Sequence, residues 1–110
     1  MLRVLRRLLL LSAGLTLASC LSPTLPLPPP SRPDVSAPDA GGLVRLQGTA
    51  APHSEVIAWN HDNDVIAGQV TRDTARYDFT IQGEVGDYIE LWYIQGDDES
   101  QTVRVTVPEE

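Results

Sequence analysis

The sequence predicts an all-β fold: a small antiparallel β-sandwich of six to seven strands over residues 43–110, behind an apolar leader and a proline-rich stretch. Three observations carry that expectation. From Leu43 to Val107, apolar and polar residues alternate in short runs of period two, as in strands that bury one face. Turn-forming residues separate the runs at about ten-residue spacing, as in two packed sheets joined by short connections. No part of this region shows a helical period.

Taken in order, Val44 and Leu46 alternate with Arg45 and Gln47 in a first strand. Glu55–Trp59 reads as a second and Val65–Val70 as a third. Between them His61-Asp62-Asn63-Asp64 is turn chemistry, because Asn and Asp tolerate left-handed backbone and hydrogen-bond their own chain. Tyr77, Phe79 and Ile81 alternate with Asp78 and Thr80. The run Tyr88–Ile94 is the most apolar and is expected to be a central strand. Val103, Val105 and Val107 alternate with Thr102, Arg104 and Thr106. The candidate core is Val44, Leu46, Val56, Ala58, Ile66, Tyr77, Phe79, Ile81, Ile89, Leu91, Tyr93, Val103 and Val105. In the 88–94 strand, Tyr88, Trp92 and Ile94 share one face and Ile89, Leu91 and Tyr93 the other, and alternation leaves both orientations open.

The N-terminus has its own logic. Arg3, Arg6 and Arg7 precede the apolar run Leu8–Leu17, and the only cysteine, Cys20, follows Leu17-Ala18-Ser19. A basic start, a short apolar stretch and small residues form a secretory signal pattern. The run is about ten residues, half of the ~20 that span a bilayer as a helix. Leu17-Ala18-Ser19-Cys20 resembles the lipobox of bacterial lipoprotein precursors. That resemblance implies cleavage between Ser19 and Cys20, a diacylglyceryl thioether on Cys20 and acylation of the new amine. It divides the chain into a signal peptide (1–19), a lipidated cysteine with a linker (20–42) and the sandwich (43–110). Leu21, rather than Asp, after the cysteine implies the outer membrane of the bacterial envelope. At ~0.8 kcal/mol per buried methylene, one acyl chain binds marginally, whereas two or three hold a protein on its membrane. A single thiol also leaves no intramolecular disulfide, so the fold must hold without one.

Residues 21–42 carry seven of the nine prolines and end at Gly41-Gly42. Proline fixes φ and removes an amide donor, so the stretch reads as a disordered linker, with about 60 Å of reach if extended as polyproline II. A docking strip for a polyproline-binding groove or the cell wall is the alternative. The chain has no lysine, and beyond residue 19 it carries five arginines against fifteen acidic residues, a formal charge of −10. That excludes nucleic-acid binding, which needs clustered cations to displace counterions. It suits an exported domain or one that meets a basic partner.

Within the domain, Gly48-Thr49-Ala50-Ala51-Pro52, Ser54-Glu55-Val56, Gly86-Asp87-Tyr88-Ile89-Glu90-Leu91 and Val103-Arg104-Val105-Thr106-Val107 resemble bacterial Ig-like repeats. Carboxypeptidase-regulatory-like and transthyretin-like sandwiches share much of the pattern. His53, Asp64 and Arg76 stand where such repeats usually carry glycine at turns. The resemblance implies an Ig-like sandwich whose motifs are structural.

Candidate chemistry is sparse. His53 and His61 are the only neutral-pH acid–base groups, and Ser54 beside His53 is a turn neighbour more than a nucleophile. Asp62 and Asp64, or Asp97-Asp98-Glu99, offer the oxygen ligands calcium takes, but not at EF-hand spacing. No phosphate cradle, zinc spacing or HExxH occurs. The sequence thus points to no catalytic residues, metal or cofactor. Tyr88, Trp92 and Trp59 are the candidate ligand face. The expected function is a membrane-anchored envelope lipoprotein presenting a non-catalytic Ig-like binding or structural module. Its partners are the membrane, through Cys20, and an envelope protein or the cell wall. The alternatives are a pilotin-like accessory lipoprotein that assists assembly of an envelope complex, or a calcium- or carbohydrate-binding surface module.

Overall fold

Period-two alternation resolves into two antiparallel sheets. A computed structural model describes residues 26–110; the signal segment 1–19, the Ser19–Cys20 cleavage site and residues 21–25 lie outside the described residues. The strands are β1 (Asp34–Val35), β2 (Leu43–Thr49), β3 (Glu55–Asn60), β4 (Ile66–Val70), β5 (Arg76–Gln82), β6 (Tyr88–Gln95), β7 (Asp98–Glu99) and β8 (Val103–Thr106). One sheet runs β1-β2-β5; the other runs β4-β3-β6, with β7 and β8 both on the far edge of β6. β7 and β8 are two halves of one strand position, so seven positions form a small antiparallel β-sandwich. β6 is central, as its apolar run predicts.

The core lies between the sheets: Val44 and Leu46 of β2, Val56 and Ala58 of β3, Tyr77 and Ile81 of β5, Ile89, Leu91 and Tyr93 of β6, then Val105 and Val107. The inward face of β6 is therefore Ile89, Leu91 and Tyr93. Phe79 and Val103 are half-buried against this cluster. Ile66 is a correction: it is exposed, because β4 is an edge strand that turns Ala67 and Gln69 inward.

Among the described residues, three that are not glycine hold left-handed backbone: His53 (φ 50°), Asp64 (φ 63°) and Ala75 (φ 63°). Two are positions where the Ig-like resemblance calls for glycine. The third is Ala75 rather than Arg76, which is already the first residue of β5.

The proline-rich stretch departs from the expected disordered linker. From Pro26 it runs along the sandwich. Gln101 N donates to Leu27 O (3.0 Å), and Leu27 forms a parallel bridge with Ser100 at the break between β7 and β8. Ser31 N donates to Thr49 O (2.8 Å), and Thr49 N donates to Ser31 Oγ (2.9 Å). Asp34 and Val35 then pair with Gln47 and Leu46. Proline removes only its own donor, so the residues between prolines can still bond, and edge positions tolerate proline. Pro30 and Pro33 are buried, and Leu27 and Val35 pack on the core. The sandwich thus begins near Pro26 rather than Leu43.

Candidate functional site

The two outer faces differ in chemistry. On β2 and β5 the outward residues are polar apart from Leu43 at one end: Arg45, Gln47 and Thr49 face Thr80, Asp78 and Arg76. Arg45 and Asp78 form a two-pronged ion pair (2.8 and 2.6 Å). That hydrogen bond lowers the Asp78 carboxyl below its ordinary range and raises the Arg45 guanidinium.

The outer face of the other sheet is apolar and aromatic. Directly opposed residues of an antiparallel pair share a face, and the register sets them in rows. Ile66, Trp59, Glu90 and Arg104 form the first; Gly68, Ile57 and Trp92 the second; Val70, Glu55, Ile94 and Glu99 the third. Tyr88 continues the face beside Thr106. Ile66 and Val70 are 66% and 68% exposed, and Ile57, Trp59, Tyr88, Trp92 and Ile94 are half-buried. Outward strand positions are ordinarily polar, and this face departs from that rule at Ile57, Trp59, Trp92, Ile94, Ile66 and Val70. The structure brings the candidate residues Tyr88, Trp92 and Trp59 onto this one face.

The lower part of the face is pre-ordered. Trp59 and His61 stack with centroids 3.9 Å apart, and Tyr88 meets His61 edge-on at 5.0 Å. Trp59 Nε1–H donates to Asp64 Oδ1 (2.9 Å), fixing the indole. His61 Nε2 lies 3.2 Å from Glu90 Oε2, which also faces Arg104 Nε at 3.8 Å. Held rings lose little rotamer freedom on binding, which favours recognition.

The other candidates have structural work. Ser54 is buried, its hydroxyl donating to Ala51 O (2.7 Å), while the exposed His53 imidazole reaches Asp73 (2.7 Å). Asp62 accepts from Tyr88 N (2.7 Å), and Asp64 is committed to Trp59. Asp97, Asp98 and Glu99 are exposed on the β6–β7 hairpin. Among the described residues, no three His, Cys, Asp or Glu side chains are arranged to hold a metal ion. A cleft of about 450 Å³ opens between the 39–42, 61–65 and 83–87 turns. Its Asp87 is occupied internally, accepting from Asn60 Nδ2 (2.9 Å) and Glu84 N (2.8 Å).

Sequence reasoning left open which side of β6 faces out and placed Ile66 in the core. The missed signal was the pairing of an edge strand, which alternation within one strand cannot supply. Cys20 and Ser19 lie outside the described residues. The chain matches no protein-family model and no curated protein.

Proposed function

We propose that this chain is a lipid-anchored lipoprotein of the bacterial envelope, and that it presents a non-catalytic sandwich as a binding module. The observation that carries the binding role is the asymmetry of the two outer faces: one mostly polar, the other setting Ile57, Trp59, Trp92, Ile94, Ile66 and Val70 across its three rows among Glu55, Glu90, Glu99 and Arg104. The anchor rests on Leu17-Ala18-Ser19-Cys20. The membrane and an envelope protein are the two partners in this reading, one at each site.

Chain length ties the two together. From Cys20 to Pro26 there are six residue steps, at most about 22 Å at ~3.6 Å each. The chain enters the sandwich beside Ser100, at the end where Gln95 Nε2 donates to Pro52 O (2.9 Å) and His53 meets Asp73. A leash this short keeps that end, with the 50–54, 71–75 and 96–97 turns, toward the bilayer. The strands then rise from the membrane and the apolar face looks sideways. Glu55, Glu90 and Glu99 on that face disfavour laying it on the lipid surface, where carboxylates would lose water.

The test is photo-crosslinking in native membranes, with a photoreactive residue at Trp92 or, as control, at Thr80 on the polar face. Protein adducts from position 92 and none from position 80 are expected. Adducts to lipid from position 92 would assign the face to the bilayer and overturn the module reading, as would equal yields from both faces.

A further inference from the structure

The backbone at the free side of β4 narrows the partner's chemistry. Asn60 N donates to Val65 O (2.9 Å) and Thr71 N to Ser54 O (2.8 Å), so the hydrogen-bonded pairs with β3 are 60–65, 58–67, 56–69 and 54–71. Ile66, Gly68 and Val70 therefore turn their N–H and C=O groups away from β3, to the edge of the sheet. The β5 edge next to it is managed differently. There, Asp78 N donates to Gln69 Oε1 (2.6 Å), and Gln82 O accepts from Asn60 Nδ2 (3.0 Å) and Asn63 Nδ2 (2.9 Å). Among the described residues no side chain caps Ile66, Gly68 or Val70. The β8 edge presents Arg104, a charge of the kind that deters pairing. β4 reads Ile-Ala-Gly-Gln-Val, with no proline and no charge. Gly68 is fixed there, since a Cβ would press on Val56 O.

We infer that β4 is a strand-addition site, and that its occupant is an extended, cationic segment of a partner protein. Main-chain bonds to Ile66, Gly68 and Val70 supply affinity, and apolar side chains alternating along the added strand continue the Ile66–Val70 face. Charge selects the cation. The chain beyond residue 19 carries −10; Glu55 lies opposite Val70 with the exposed Arg72 two residues beyond that end, and Asp64 precedes the Ile66 end, so the acid balance is overall and at the Ile66 end. A second copy fits poorly: it would set −10 against −10. Antiparallel pairing about Gly68 would also turn one copy end for end, along strands of up to eight residues, about 27 Å. With the strands upright on the membrane, a leash of about 22 Å does not span that length, so only one of the two copies would keep its entry end at that membrane. This last argument rests on the anchor reading; the edge itself does not.

The experiment is amide hydrogen exchange on the full chain in detergent, with capped Lys-Val-Lys-Val-Lys-Val-Lys and Glu-Val-Glu-Val-Glu-Val-Glu peptides as probes. In the free protein the Ile66, Gly68 and Val70 amides exchange faster than those of Ala67 and Gln69. The lysine peptide at millimolar concentration is expected to slow those three at least tenfold, and the glutamate peptide to leave them unchanged. Two variants keep the β3–β4 ladder. Val70→Pro removes an outward donor, Ile66→Lys adds a repelling charge, and each should weaken the protection at least tenfold. No protection, equal protection by both peptides, or protection that rises with protein concentration alone would overturn the inference; the last would assign the edge to a second copy. No lipid is involved, so the outcome is independent of whether Cys20 is acylated.

Discussion

Ala75 holds a φ of 63° with no side-chain reason to do so. A left-handed L-residue costs about 1–2 kcal/mol, which glycine avoids. We expect Ala75→Gly to raise stability by about 1 kcal/mol, read as a several-degree rise in melting temperature. Asp64→Gly should not repeat that gain, because Asp64 also holds the Trp59 indole. His53 and Asp64 were legible as turn positions from their place in the Ig-like pattern. Ala75 was missed by one residue, since an alanine gives no sign of left-handed backbone.

Tyr77 links the residue to the N-terminal segment. Its hydroxyl donates to Ser31 O (3.1 Å) across Gly48, where any Cβ would overlap the phenol. Burial, opposed in part by the Ser31 side-chain hydroxyl and reinforced by Asp34, pushes the Tyr77 pKa up to about 12. The folded value exceeds the unfolded one, near 10, so this contribution is complete below pH 10 and fades as pH rises toward 12. Urea melts of wild type and Tyr77→Phe from pH 9 to 12 should show a steeper alkaline loss in wild type. Gly48→Ala should cost about 1–3 kcal/mol through overpacking.

At the scale of elements, β2, β5 and β8 were legible from alternation, β6 from its apolar run, and β3 and β4 from short runs set off by turn residues. β1 was not. A two-residue strand among prolines has no period to read, and the sign that it docks, Leu27 and Val35 on the core, lies in long-range packing. The docked segment makes its own prediction. Amides of Ser31 and Ser36, which donate to Thr49 O and Arg45 O, should exchange well below the unprotected rate. Exchange at the free-chain rate would return this stretch to a loose linker. The break between β7 and β8 supports the docking: Ser100 Oγ takes the Tyr93 N–H (2.9 Å), so Gln101 N is free to bond Leu27.

At the scale of the molecule, the polar and apolar outer faces and the end at which the chain enters are the features that define a use. Composition made the acidity legible, and the aromatic residues suggested a ligand face. Which of them would share that face depended on pairing β3 with both β4 and β6, in a register that brings Ile66, Trp59 and Glu90 into one row. Docking of residues 26–42 also changes the expected reach. In the proposed anchored form, a flexible arm of about 60 Å becomes a leash of at most about 22 Å, which would hold the domain close to its membrane with its 50–54, 71–75 and 96–97 turns down.

Reach and orientation both depend on Cys20. The most direct test is the intact mass of the protein taken from its native membrane, with fractionation of wild type beside Cys20→Ala. The expected result is a chain beginning at Cys20 and carrying the mass of its acyl groups, with the variant released or left as unprocessed precursor. A soluble wild type with a bare thiol, or one that retains residues 1–19, would contradict the account.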